Sequence, residues 1–86
     1  MPASPESKEE FGRTVQLAFG RALRAARRRQ GLSQERLAFK ASLHPSYVAQ
    51  VERGERNISL RNIWLLAEAL ELGASDLLSR PGKGSG

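Results

Sequence analysis

The stretch Ser33-Gln-Glu-Arg-Leu-Ala-Phe-Lys-Ala-Ser-Leu-His-Pro-Ser-Tyr-Val-Ala-Gln-Val-Glu52 reads as two short helices joined by a tight turn. Leu37 and Ala38 give the first helix an apolar stripe, Ser42 and Leu43 form the corner, and Val48 and Val51 give the second helix its own stripe. Ala38 has to be small, because the helices cross steeply there and a longer side chain would hold them apart. On a wheel of about 100° per residue, Val51 and Glu52 fall near Val48, whereas Ser46, Gln50 and Arg53 fall on the far side. The second helix therefore presents hydroxyl, amide and guanidinium groups, the types that hydrogen-bond base edges and phosphates in a major groove. Taken alone, the pattern also fits an ordinary helical hairpin whose outer face is polar because it is solvated.

Charge separates the two readings. The chain carries a net charge of +5 over 86 residues, unevenly spread. Residues 1–10 hold one Lys against three Glu, and 57–79 hold Arg61 against Glu68, Glu71 and Asp76. Residues 11–56 hold ten Lys or Arg against three acids, so the basicity surrounds the helical hairpin and favours nucleic acid as partner. A solvated helix face accounts for part of the run Arg27-Arg28-Arg29. A membrane surface would also attract it, but the helix lacks the broad apolar face that interfacial insertion needs.

Working outward, the pattern predicts an all-α fold of five helices in one domain, since 86 residues bury only a modest core. Ser7 with Glu10 three residues on matches a capping box, so helix 1 runs from near Lys8 to about Gln30, with Phe19, Leu23 and Ala26 on its inner face. Gly12 and Gly20 each cost up to about 1 kcal/mol inside it, and only the part beyond Thr14 is secure. Residues 1–13 thus form an N-terminal arm or an extension of helix 1, 14–79 the helix-turn-helix domain, and 80–86 a disordered tail. Ser33 caps helix 2, which ends near Ala41; Pro45 opens helix 3, which stops at Gly54. Helix 4 follows Ser59 and buries Leu60, Ile63, Ala67 and Leu70 until Gly73; helix 5 is capped by Ser75 and anchored by Leu77 and Leu78.

Several classes are disfavoured. Without cysteine there is neither a disulfide framework nor a thiolate metal site, and one histidine cannot hold zinc alone. No apolar run approaches the roughly 20 residues that span a bilayer, and the N-terminus lacks the basic and apolar regions of a secretory signal. No paired carboxylates, nucleophile with a base or Gly-rich phosphate loop suggests an enzyme, and His44 has no evident partner. The expectation is a cytoplasmic protein without metal, cofactor or membrane.

The run Gly31-Leu-Ser-Gln-Glu-Arg-Leu-Ala, then Tyr47-Val-Ala-Gln-Val-Glu-Arg-Gly-Glu-Arg-Asn-Ile-Ser-Leu, then Leu66-Ala-Glu-Ala-Leu and Ala74-Ser-Asp-Leu-Leu resembles the phage-repressor-like helix-turn-helix family of xenobiotic-response-element type. Within it, the small form and the stretch Glu52 to Leu60 look most like controller proteins of restriction-modification systems. The resemblance implies a homodimer on a partly palindromic double-stranded DNA operator, each subunit placing helix 3 in a major groove. It assigns Pro45, Ser46, Tyr47, Ala49 and Gln50 to the DNA-facing edge, with Ser46 and Gln50 as the best base readers, and gives Gln34 a phosphate. Arg53, Arg56 and Asn57 take phosphate or groove-edge contacts. Arg27 and Glu52 match positions that form a structural ion pair between helices 1 and 3.

Three departures from the family pattern bear on docking. Ser42 holds a corner position usually given to Gly, His44 caps helix 3 where Ser or Thr caps better, and Pro45 removes a donor. Trp64, Leu65 and Leu72 are apolar where helix 4 and its loop should face water, which suggests a two-fold dimer surface; a thicker monomer core is the other reading. The rival function is an antitoxin or a bridging module that uses the same fold to hold a protein.

Overall fold

The computed structural model describes residues 7–78. They form five helices: α1 (Lys8–Arg29), α2 (Gln34–Ala41), α3 (Pro45–Glu52), α4 (Leu60–Ala69) and α5 (Ala74–Leu77). Residues 1–6 and the expected tail, 80–86, lie outside the described residues. α1 starts on the capping box, with the Ser7 hydroxyl accepting from the Glu10 N–H at 3.0 Å and the Glu10 carboxylate accepting from the Ser7 N–H at 3.2 Å. It continues unbroken through Gly12, so residues 8–13 extend the helix.

Phe19, Leu23 and Ala26 of α1, Leu37, Ala38 and Ala41 of α2, Val48 and Val51 of α3, and Ile63, Leu66 and Leu70 beside α4 meet in one core, closed by Leu77 of α5. Ala38 is fully buried among these helices, as the crossing demands. Leu60 departs from expectation. It is the first residue of α4 and lies 69% exposed, because the α4 stripe turns inward only from Ile63. Leu78 is 49% exposed since α5 has already ended. Ser75 does not cap α5; the cap is Gly73, whose N–H donates to the Asp76 carboxylate at 2.9 Å.

The first four helices end in the same way. A residue with positive φ follows each: Gly31 (70°), Ser42 (60°), Gly54 (76°) and Glu71 (59°). The next residue then returns its N–H to a carbonyl five back, as in Leu32 to Arg27, Leu43 to Ala38, Glu55 to Gln50 and Leu72 to Ala67. This Schellman closure satisfies carbonyls that helix ends leave orphaned and carries an apolar side chain back onto the helix. Leu32, Leu43 and Leu72 are those side chains, and all three pack on the core. Ser42 therefore adopts the left-handed conformation after all. The tight corner between α2 and α3 follows from it.

Candidate nucleic-acid interface

Two elements position α3. From behind, Gly20 lets α1 approach so closely that a Cβ there would lie 2.5 Å from the Val51 carbonyl oxygen and 2.7 Å from that of Glu52. Beside this contact, Arg27 donates from Nε and Nη2 to the two Glu52 carboxylate oxygens at 2.6 and 3.0 Å. Its Nη1 donates to the Leu32 carbonyl at 2.8 Å, and Gln34 Nε2 adds a third bond to Glu52 at 3.0 Å. Burial pushes the Glu52 carboxyl up, but the bonds from Arg27 and Gln34 and the charges of Arg27 and Arg24 outweigh it and hold the carboxyl below its ordinary range. The bond to Glu52 likewise raises Arg27 further, so both remain charged. The expected structural pair is present, and it joins α1, α2 and α3.

From the other end, α1 carries two amide latches. Gln16 Nε2 donates to the Gly54 carbonyl at 3.0 Å, and Gln30 Nε2 donates to the Leu70 carbonyl at 2.7 Å. Each satisfies a backbone acceptor where a helix stops, tying the ends of α3 and α4 to one spine.

On the outer side of α3, Ser46 is exposed and Pro45, Tyr47, Ala49 and Gln50 are half-buried. His44 caps the helix with its ring: Nδ1 accepts the Ser46 N–H at 3.1 Å and lies 2.8 Å from the Ser46 hydroxyl. Acceptance at Nδ1 leaves the neutral ring's proton on Nε2. The Ser46 side chain is thereby held against the cap.

Tyr47, Gln50 and Arg56 form one cluster. The Arg56 guanidinium lies 5.0 Å from the centroid of the Tyr47 ring, and its Nη1 donates to the Gln50 side-chain oxygen at 3.4 Å. Asn62 of α4 donates from Nδ2 to the Tyr47 hydroxyl at 2.9 Å. With that oxygen engaged as acceptor, the Tyr47 O–H proton is free to donate outward. Asn62 Oδ1 is buried with no hydrogen-bond partner among the described residues, an uncommon cost in a folded protein.

The other expected contacts are less free. Gln34 sits at the start of α2 but spends its amide on Glu52. Arg53 forms a two-pronged pair with Glu55, at 2.9 and 3.1 Å, with both side chains more than half exposed. Asn57 is exposed in the loop after α3. Trp64 is 58% exposed, four residues from the equally outward Leu60, whereas Leu65 and Leu72 are half-buried against the core. Sequence reasoning missed Asn62 as support for Tyr47, His44 as the clamp on Ser46, and Gly20 as a contact point. The first two depend on neighbours in space. Gly20 did leave a trace: a glycine in the secure part of a helix.

A buried seam, a left-handed corner and an outward polar helix are the parts of a helix-turn-helix unit. Residues 23–77 match the profile of the helix-turn-helix family, and the chain belongs to that family. It is similar to control protein C.BamHI of Bacillus amyloliquefaciens, 43% identical over 65 residues that cover 74% of this chain and 80% of that protein. Control protein C.SmaI of Serratia marcescens is 43% identical over 60 residues, 70% of this chain and 71% of the relative. Among solved structures, the restriction-modification controller protein C.AhdI of Aeromonas hydrophila superposes with a TM-score of 0.71 at 52% identity, covering 72% of this chain and 94% of that one.

Proposed function

We propose that this chain is a sequence-specific DNA-binding transcription regulator that acts as a homodimer on a partly palindromic operator and controls a restriction-modification system. The observation that carries the reading is the Tyr47-Gln50-Arg56 cluster on the outer edge of a helix whose inner edge is fixed by Arg27 and Glu52. Gln50 pairs with adenine through two hydrogen bonds. Ser46 accepts from base edges, and Pro45 and Ala49 give apolar contact to a thymine methyl. Tyr47, Arg53, Arg56 and Asn57 contact phosphate or the groove edge, and the first turn of α2, with Gln34, faces the neighbouring phosphate. The regulator works in the bacterial cytoplasm, without metal or cofactor.

Dimerisation uses the outer face of α4, where Leu60 and Trp64 lie exposed one turn apart, with Leu65 and Leu72 at its margin. Sedimentation of Trp64→Asp tests this: the variant should be monomeric, and a variant as dimeric as the parent removes the interface. Band shifts with the fragment upstream of the gene test the reading of DNA. Gln50→Ala should lose preference for that fragment over a scrambled duplex by about 30-fold, the middle of the roughly 1 to 3 kcal/mol that a two-bond contact gives. Arg56→Ala should weaken binding to both. A parent protein that binds the fragment no better than the scrambled duplex overturns the proposal, and salt-independent retention by a protein partner alone would put the chain among binding modules instead.

A further inference from the structure

α1 carries a second basic surface, away from the groove-facing cluster. Arg21, Arg24 and Arg28 are exposed and, with Ala25, line a shallow concavity of about 330 Å³. Steps of three and four residues put them on one face of α1, at rises of about 4.5 and 6 Å. None of the three forms an ion pair among the described residues. Like charges at this spacing repel along a helix, and no ion pair among the described residues neutralises them.

Its location is fixed by its neighbours. Arg24 is near enough for its charge to act on the Glu52 carboxylate, the group that Arg27 and Gln34 hold at the junction of α1, α2 and α3. On a wheel of about 100° per residue, Leu17 falls within about 40° of Arg21, Arg24 and Arg28, while Arg29 lies about 100° round from them. Leu17 packs directly against Gly54, at the end of α3. The basic flank therefore adjoins, on its solvent side, the edge of α1 that meets the end of α3. The three charges span about 10.5 Å of helix axis, a length over which one strand of a duplex carries about three phosphates.

We infer that Arg21, Arg24 and Arg28 form a second phosphate-binding stripe that grips the DNA backbone outside the half-site read by α3. The inference rests on the DNA-binding reading above. It adds sequence-independent affinity, and with it a steeper dependence of binding on salt.

Fluorescence anisotropy with two mixed-sequence duplexes, one long enough to pass along α1 and one confined to a half-site, tests it between about 50 and 200 mM salt. The variant is Arg21→Gln/Arg24→Gln/Arg28→Gln. The control, Lys8→Gln/Arg29→Gln/Lys40→Gln, removes the same net charge from other exposed positions. On the long duplex the stripe variant should lower the slope of log affinity against log salt by about 0.9 per lost contact, while the control keeps the parental slope. On the short duplex parent and variant should converge. Thermal melts check that the stripe variant and the control are both folded under the binding conditions.

A stripe variant with the parental slope on the long duplex overturns the inference while the DNA-binding reading stands. An equal loss on both duplexes overturns the placement outside the half-site, as does an equal loss from the control. A parent that binds neither duplex overturns the regulator reading and the stripe with it; an acidic protein surface would then be the remaining counterpart for these arginines.

Discussion

Two arginine-glutamate pairs flank α3, and they use the same chemical groups to opposite ends. Arg27–Glu52 lies between α1 and α3, with side-chain exposures of 10% and 3%; Arg53–Glu55 sits at the end of α3 with 58% and 52%. Each is two-pronged. The first is also bonded by Gln34 and the Leu32 carbonyl, so its charges have no solvent to return to if the pair breaks. The second can open into water at almost no cost, which suits the phosphate contact proposed for Arg53. Burial and the number of anchors, rather than the identity of the pair, separate a structural charge from an available one.

The comparison breaks most severely at Glu52. Glu52→Ala leaves Arg27 buried without its partner and should cost about 3 to 5 kcal/mol, enough to unfold much of so small a domain; urea or thermal denaturation measures it. Next comes Gly20→Ala, which drives a methyl into the Val51 and Glu52 carbonyls and pushes α1 from α3 beside the seam. Overpacking of that kind should cost about 1 to 3 kcal/mol, and a variant as stable as the parent would show that the close approach is not needed.

Acid sharpens the same contrast. The folded Glu52 carboxyl lies below its ordinary value of 4.5, so its contribution to stability is complete above that value and is lost as pH falls through the folded-state value. The melting difference between the parent and Glu52→Gln should shrink accordingly below about pH 4.5. Arg53 lowers Glu55 through its hydrogen bonds in the same sense, but that part should fade with added salt because the pair is exposed. The smallest effect is expected from Glu55→Gln. It frees Arg53 and removes an anion near the proposed phosphates, so stability should stay put while DNA binding tightens by a factor of a few, most visibly at low salt. Weaker binding by that variant would mean that Arg53 depends on Glu55 for its placement.

Much of the fold was legible because its signals are local. Ser7 with Glu10, Ser33, Ser59, Pro45 and the glycines at 31 and 54 mark helix boundaries through hydrogen bonds within a few residues, and the apolar spacing of α2 and α3 marks their inner faces. The misplaced cap of α5 and the exposed Leu60 and Leu78 have one cause. At the ends of short helices, periodicity is too brief to say which leucine turns inward. The left-handed corner at Ser42 shows the same limit from the other side, since a non-glycine residue takes that conformation only where surrounding packing, here Leu43 returned to the core, holds it.

The sequence by itself determined five helices, a hairpin with one apolar and one polar edge, and a basic middle, because periodicity, capping and charge count need nothing beyond neighbours along the chain. Only the tertiary structure decided which polar groups are spent and which are free. It joined Gln34 to Glu52 across 18 residues and Asn62 to Tyr47 across 15, and it left Arg21, Arg24 and Arg28 on the exposed flank of α1 beside its seam with α3. Such partnerships depend on how helices cross, and crossing is settled by the packing of the whole core.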